Sequence, residues 1–151
     1  MTKKLSSIKI SVVCFANYCR SPVAEKLLER RFPEVSFNSC GLEPKSSSIM
    51  DPRSKSFLDA LGVRNFIHTP KKISRDSVNK ADLILAMDHF ILLRLNTIFP
   101  NEIGKIKLFT YQNPFEKIED PYLFEDLKKY EEVMKKIKNV VEKFQLPFGS
   151  S

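Results

Sequence analysis

Strand-like segments at 8–14, 35–39, 82–87 and 106–110 alternate along this chain with stretches of helical spacing at 22–32, 52–61, 89–99 and 123–145. A period of two that gives way repeatedly to a period near 3.6 predicts a parallel α/β sheet with crossover helices. The last helical stretch sets Phe124, Leu127, Tyr130, Met134, Ile137, Val141 and Phe144 on one stripe, with Lys and Glu between them. Such a stripe reads as core packing rather than as a surface for a partner helix. Pro147 follows as a stop signal. The chain carries no internal repeat and no long low-complexity tract.

The transition from the first strand to the first helix carries the candidate chemistry. Ile8, Ile10, Val12 and Val13 lead into Cys14-Phe15-Ala16-Asn17-Tyr18-Cys19-Arg20-Ser21-Pro22, and the helical pattern of Val23, Ala24, Leu27, Leu28 and Phe32 follows. A thiol and a guanidinium thus end a short loop at a helix N-terminus, where amide N–H groups and the helix dipole favour a phosphate-like dianion. The same field favours a thiolate, which makes Cys14 a candidate nucleophile. Pro22 suits the first helical position. Ser21 suits the N-cap and can also hydrogen-bond the Cys14 sulfur. Asn17 tolerates the left-handed conformation that a tight cradle demands. The plainer alternative is an ordinary βα turn around a buried cysteine.

Composition narrows the class. At 151 residues and 42% hydrophobic content the chain suits one globular domain, taken as 1–148, with Gly149-Ser150-Ser151 readable as a cloning remnant. No apolar run approaches the ~20 residues of a membrane span. The segment behind Met1-Thr2-Lys3-Lys4 is broken by Lys9 and Ser11, so it reads as a first strand rather than as a signal peptide. Three cysteines without a disulfide pattern predict a reducing, cytoplasmic setting. The net charge of +7 would draw anionic phosphoesters. Most of it is assigned to Lys-rich solvated helices, and no base-reading motif points to nucleic acid. His68 and His89 stand apart from any ligand cluster and read as structural, so no metal and no cofactor is expected.

The loop resembles the signature of the low-molecular-weight protein tyrosine phosphatases, Cys-x-Gly-Asn-x-Cys-Arg-Ser-Pro. Cys14, Asn17, Cys19, Arg20, Ser21 and Pro22 match it. Ala16 replaces the family's glycine and adds a methyl beside the cradle, with lowered activity or altered loop geometry as the expectation. Ser39-Cys40-Gly41-Leu42, Asp51-Pro52-Arg53, the stretch from Asp82 to Asp88 and Ile118-Glu119-Asp120-Pro121-Tyr122 are similar to later landmarks of the family, in order. The Gly41-to-Asp51 spacing looks more like that of the bacterial members linked to tyrosine kinases of polysaccharide export.

The resemblance implies a three-layer sandwich, with a four-stranded parallel sheet in the order 2-1-3-4 and helices on both faces. It implies hydrolysis of phosphotyrosine and aryl phosphates through a cysteinyl-phosphate, with Cys14 as nucleophile, Arg20 gripping the phosphoryl oxygens and Asp120 as general acid. Taken alone, Asp120-Pro121 reads as a turn, and it is the resemblance that makes it the acid. Asp51-Pro52, the rival pair, is explained as an N-cap and first helical residue. Asp82 and Asp88 read as structural, Asp88 as a cap. Phe15, Ala16, Asn17, Tyr18, Cys19 and Ser21 make up the substrate-binding loop, with Asn17 and Ser39 also supporting its backbone. Phe15, Tyr18 and Tyr122 could sandwich the phosphotyrosine ring, although Phe15 packed into the core is an equal reading. Cys19 either packs beneath the loop or forms a reversible disulfide with Cys14. Cys40 reads as a small buried hydrophobe. Glu43-Pro44-Lys45-Ser46-Ser47-Ser48 replaces the tryptophan-bearing wall of many members. Expected partners are a phosphotyrosine protein or peptide and a cognate tyrosine kinase, the chain itself being a monomer. A thiol-dependent arsenate reductase of the same fold is the alternative, opposed by the lack of cysteine in residues 69–100. A weakly active oxyanion-binding homologue is another, opposed by Cys14, Arg20 and Asp120 together. A phosphoarginine phosphatase is opposed by the bulk of Tyr18.

Overall fold

The computed structural model describes residues 3–148, so the 149–151 tail lies outside the described residues. Four strands, β1 (Lys9–Cys14), β2 (Ser36–Gly41), β3 (Leu83–Ala86) and β4 (Ile106–Leu108), form one parallel sheet in the order β2-β1-β3-β4. The helices are α1 (Ser21–Arg31), α2 (Pro52–Ala60), α3 (Arg75–Lys80), α4 (His89–Ile98) and α5 (Leu127–Lys143). Both faces of the central strands are covered, because every residue of β3 and all of β1 after Lys9 are buried. Ile10, Val12, Leu83 and Leu85 pack with α1 and α5 in one cluster, while Val13, Ile84 and Ala86 pack with Ile91 and Leu95 of α4 in the other. Alternate residues of each strand thus feed opposite layers, as the pleat requires. Among the described residues no helix is long and apolar enough to cross a membrane.

Several element ends differ from expectation for local reasons. The last helix begins at Leu127 rather than 123, because the Asp126 side chain accepts the N–H groups of Lys128 and Lys129. Phe124 is held outside it by a turn in which its N–H donates to the Pro121 carbonyl. Arg20 rather than Ser21 occupies the N-cap of α1, so Pro22 falls at the second helical position and not the first. The short helix α3 was not expected. Only the reciprocal cap between Ser74 and Ser77 marks it, and six residues are too few for a readable apolar period. Asp51 caps α2, accepting from the Arg53 N–H, with Pro52 first in the helix, as expected.

The chain crosses from β1 through α1 to β2 on one side, while β3 lies on the other. The carboxyl ends of β1 and β3 therefore flank a topological switch point, where open parallel sheets leave a crevice. Cys14 is the last residue of β1.

Candidate active site

Residues 15–20 connect β1 to α1, and their backbone is held in an unusual way. All six carbonyls from Cys14 to Cys19 accept hydrogen bonds from neighbouring elements. The N–H groups of Leu42, Glu43, Lys45 and Asp51 donate to Cys14, Phe15, Ala16 and Tyr18 at 2.9–3.2 Å. His68 Nε2 meets the Asn17 carbonyl at 2.9 Å, and Ser54 Oγ donates to the Cys19 carbonyl at 2.8 Å. Among the described residues, none of the N–H groups of 15–20 finds a protein acceptor. Backbone donors are seldom left unpaired, and a run of them at a helix start forms a nest for an anion.

Two residues allow this curvature. Asn17 adopts φ 51°, the left-handed region, and its side chain closes the loop from behind. Its Nδ2 donates to Ser21 Oγ and Ser39 Oγ at 2.8 and 3.0 Å, and its Oδ1 accepts the Lys71 N–H at 3.0 Å. Ser39 in turn donates to the buried Glu25. Gly41 ends β2 directly against the loop. A Cβ there would lie 2.7 Å from the Phe15 carbonyl oxygen and 2.9 Å from the Asn17 nitrogen, so no larger residue fits without moving the backbone. Ala16 is not among the residues with positive φ, so its methyl brings no backbone strain. The expectation of altered loop geometry there finds no cause in its φ.

Cys14 and Arg20 stand at the two ends of the loop, both buried. Cys14 Sγ lies 2.9 Å from Ser21 Oγ. Arg20 Nη1 donates to Asp88 Oδ2 and to the Ile118 carbonyl, each at 2.8 Å, which fixes the plane of the guanidinium. Its Nη2 faces Asp120 Oδ2 at 3.9 Å. Asp88 is thus more than the structural residue expected. One oxygen caps α4 through the Ile91 N–H and the other holds Arg20. Its place just beyond the carboxyl end of β3 was the available signal. Asp120 is half exposed, and its Oδ1 accepts the Tyr122 N–H at 3.1 Å.

A cleft of about 350 Å³ brings Cys14, Phe15, Ala16, Cys19, Arg20, Asp120 and Tyr122 together. That volume suits an aryl phosphate. Asn17 and Ser21 do not line it, because their side chains are spent on each other and on Ser39 and Cys14 behind the loop. Tyr18 does not line it either; its ring meets Tyr122 edge-on at 5.9 Å. Phe15 lines the cleft and also packs against the α4-side core, its ring centroid 6.2 Å from that of Phe90. Glu43, Pro44, Lys45 and Ser46 supply the wall. Lys45 was not singled out, yet its Nζ donates to Tyr122 Oη at 2.5 Å across the cleft. That bond, above all else, raises the Lys45 pKa.

The remaining thiols sit in different surroundings. Cys14, Cys19 and Cys40 are all unbridged. Burial pushes the Cys19 and Cys40 thiols up to about 12, which keeps both protonated and poorly nucleophilic. Cys19 Sγ donates to Asp51 Oδ2 at 3.6 Å, while Cys40 packs in the α4-side cluster. Burial likewise lowers the His68 pKa, favouring a neutral ring beneath the loop.

The comparisons agree with this geometry. Residues 9–147 match the model of the "Low molecular weight phosphotyrosine protein phosphatase" family. The low molecular weight protein-tyrosine-phosphatase Wzb of Salmonella typhimurium is 37% identical over 114 residues, 76% of each chain. The crystal structure of tyrosine phosphatase Wzb from Escherichia coli K30 in complex with sulphate superposes with a TM-score of 0.83 at 27% identity, covering 89% of this chain and 94% of that one. Vibrio vulnificus Wzb in complex with benzylphosphonate gives 0.82 at 26%, with the same coverage. The chain belongs to the low molecular weight phosphotyrosine protein phosphatase family.

Proposed function

We propose that this protein hydrolyses phosphotyrosine in proteins, and aryl phosphates generally, through a cysteinyl-phosphate on Cys14. The observation that carries this reading is the loop whose six carbonyls are tied back and whose amides have no protein acceptor, with a buried thiol at one end and a fixed guanidinium at the other. Such a cup fits the three equatorial oxygens of a phosphoryl group, and preorganised donors of this kind supply the largest share of rate in comparable chemistry. Arg20 grips two of those oxygens through its remaining N–H groups, a fork that lysine lacks. Cys14 sulfur attacks phosphorus in line as the P–O bond to the leaving group breaks. Asp120 gives its proton to the departing phenolic oxygen, then takes one from the water that hydrolyses the S–P bond and releases phosphate. The benzylphosphonate held by the Vibrio relative supports an aryl group in the cleft, between Tyr122 and Phe15.

The relatives also support a reading of the cellular partner. Their names as protein-tyrosine-phosphatases support a tyrosine-phosphorylated protein as substrate, and a cognate tyrosine kinase is the proposed partner among such proteins. A catalytic thiolate works only while reduced, which supports a cytoplasmic setting. The decisive experiment is acid quenching during turnover of a phosphotyrosine peptide. A phosphoryl adduct should map to the Cys14 peptide and be absent from Cys14→Ser, whose turnover should fall by about 10⁴-fold or more. An adduct elsewhere, or turnover that survives the substitution, removes Cys14 from the role. Parallel phosphoserine and phosphoarginine peptides should be turned over far more slowly.

A further inference from the structure

One landmark of the sequence has no part in the chemistry above. Asp51-Pro52-Arg53 begins α2, and Arg53 extends from there to the segment that carries Asp120. Its Nε and Nη2 bind both oxygens of Asp51, at 3.0 and 2.7 Å. Its Nη1 donates to the Phe124 carbonyl at 2.6 Å and its Nη2 to the Tyr122 carbonyl at 3.1 Å. The guanidinium lies over the Tyr130 ring, with Cζ 4.0 Å from the centroid, so α5 forms the floor on which it rests.

The two ends of this arrangement are the two halves of the cleft. On one side, the Asp51 N–H donates to the Tyr18 carbonyl at 3.0 Å and Asp51 Oδ2 accepts Cys19 Sγ, so Asp51 is fixed to the phosphate loop. On the other, residues 120–124 form a tight turn. Asp120 Oδ1 accepts the Tyr122 N–H, and the Phe124 N–H donates to the Pro121 carbonyl. Arg53 holds both carbonyls that this turn presents to α2. The Asp120 carboxylate is thus oriented by Tyr122, and Tyr122 by Arg53.

We propose that Arg53 is a positioning residue for proton donation: it sets where the Asp120 carboxylate stands relative to the phosphate loop. The inference rests on Asp120 being the general acid, as given above. The segment from 111 to 126 contains no helix or strand, and Asp120 is half exposed. A carboxylate on such a segment keeps a productive distance to the leaving oxygen only if something outside the segment holds it, and small misplacements are costly in rate. Arg53 has the required geometry because one planar fork reaches two carboxylate oxygens and two carbonyls at once. Lysine, with a single compact ammonium, cannot reproduce it.

The test compares kcat/KM for phenyl phosphate, whose leaving group needs a proton, with that for 2,4-dinitrophenyl phosphate, whose leaving group does not. Arg53→Gln should lower the first by about tenfold, a fraction of what general acid catalysis supplies, and the second by less than about twofold. Inhibition by inorganic phosphate should stay the same, since the oxyanion cup is intact. Arg53→Lys should behave like Arg53→Gln. Placed in an Asp120→Ala background, Arg53→Gln should cost nothing further, because its effect passes through the missing carboxylate. A purely structural role would instead lower both substrates alike, weaken phosphate inhibition and add fully to Asp120→Ala; any of these outcomes overturns the inference. If Asp120→Ala alone slows both esters equally, it is the assignment of the acid that fails. Thermal melts confirm folding, and should Arg53→Gln not fold, Arg53→Lys carries the same comparison.

Discussion

The two segments that meet at the cleft are built in opposite ways. Residues 14–20 are buried for the most part and satisfied from outside at every carbonyl. Residues 111–126 lack regular structure, and Arg53 and Arg20 each supply hydrogen bonds or ion pairs to them from distant elements. The first must hold unpaired donors aimed at a charge, so its strain has to be met by rigid neighbours. In the proposed mechanism the second moves a proton onto oxygens of differing substrates, which suits a segment held at a few points and left partly in water. The proposed binding function is fixed through backbone geometry, and the proposed proton transfer through side chains that reach across the fold.

Of the changes that separate the two segments, the broadest loss should come from breaking the rigid one by a single methyl. Gly41→Ala places a Cβ against the Phe15 oxygen and the Asn17 nitrogen, both backbone atoms that cannot yield alone. Turnover should fall about 10²-fold or more for every substrate alike, as expected when oxyanion donors are displaced. The same overpacking should cost about 1–3 kcal/mol in denaturant unfolding. Asp120→Ala should break the other segment with a different signature, a loss of about 10²-fold in kcat/KM for phenyl phosphate and far less for the dinitrophenyl ester. Equal losses for both esters in both variants would erase the distinction drawn here.

The smallest effect concerns the support beneath the loop. His68 hydrogen-bonds the Asn17 carbonyl, and burial holds its pKa below the usual imidazole value of 6.5. The unfolded chain therefore binds the proton more readily. This contribution to stability is complete above about pH 6.5 and is lost as pH falls through that value towards the lower pKa of the folded state. The melting temperature should drop over that interval by a few degrees at most, and His68→Gln should flatten the dependence. An unchanged slope in that variant would assign it to other groups.

The same contrast explains what could be read from the chain beforehand. The alternation of strands and helices, the phosphate loop and the left-handed Asn17 follow from contiguous residues, because strand, loop and helix start are local in sequence. The sheet order, which pairs Ile10 with Leu83, is implied only by the family resemblance. The arsenate reductase reading was set aside on a missing cysteine, and the site likewise offers Cys14 no second reactive thiol, since Cys19 and Cys40 are protonated. Contacts made across long separations were not legible. Asp88 looked like a helix cap and is one, but nothing near it in sequence announces the bond to Arg20. Lys45 lay within the recognised wall, yet its bond to Tyr122 spans 77 positions. Ser21 meets one of its two expectations: its hydroxyl bonds the Cys14 sulfur, but the N-cap belongs to Arg20, and the Asn17 amide that also claims the hydroxyl is not announced by residue type.

The central claim is that the amides of residues 15–20 form a cup for a tetrahedral oxyanion. Titration of the protein with inorganic phosphate, followed residue by residue in ¹H–¹⁵N NMR spectra, tests it most directly. Those six amide protons should move together downfield and saturate with one affinity, and Arg20→Lys should weaken that affinity. Spectra in which these amides stay in place while exposed lysine-bearing helices respond would contradict the account.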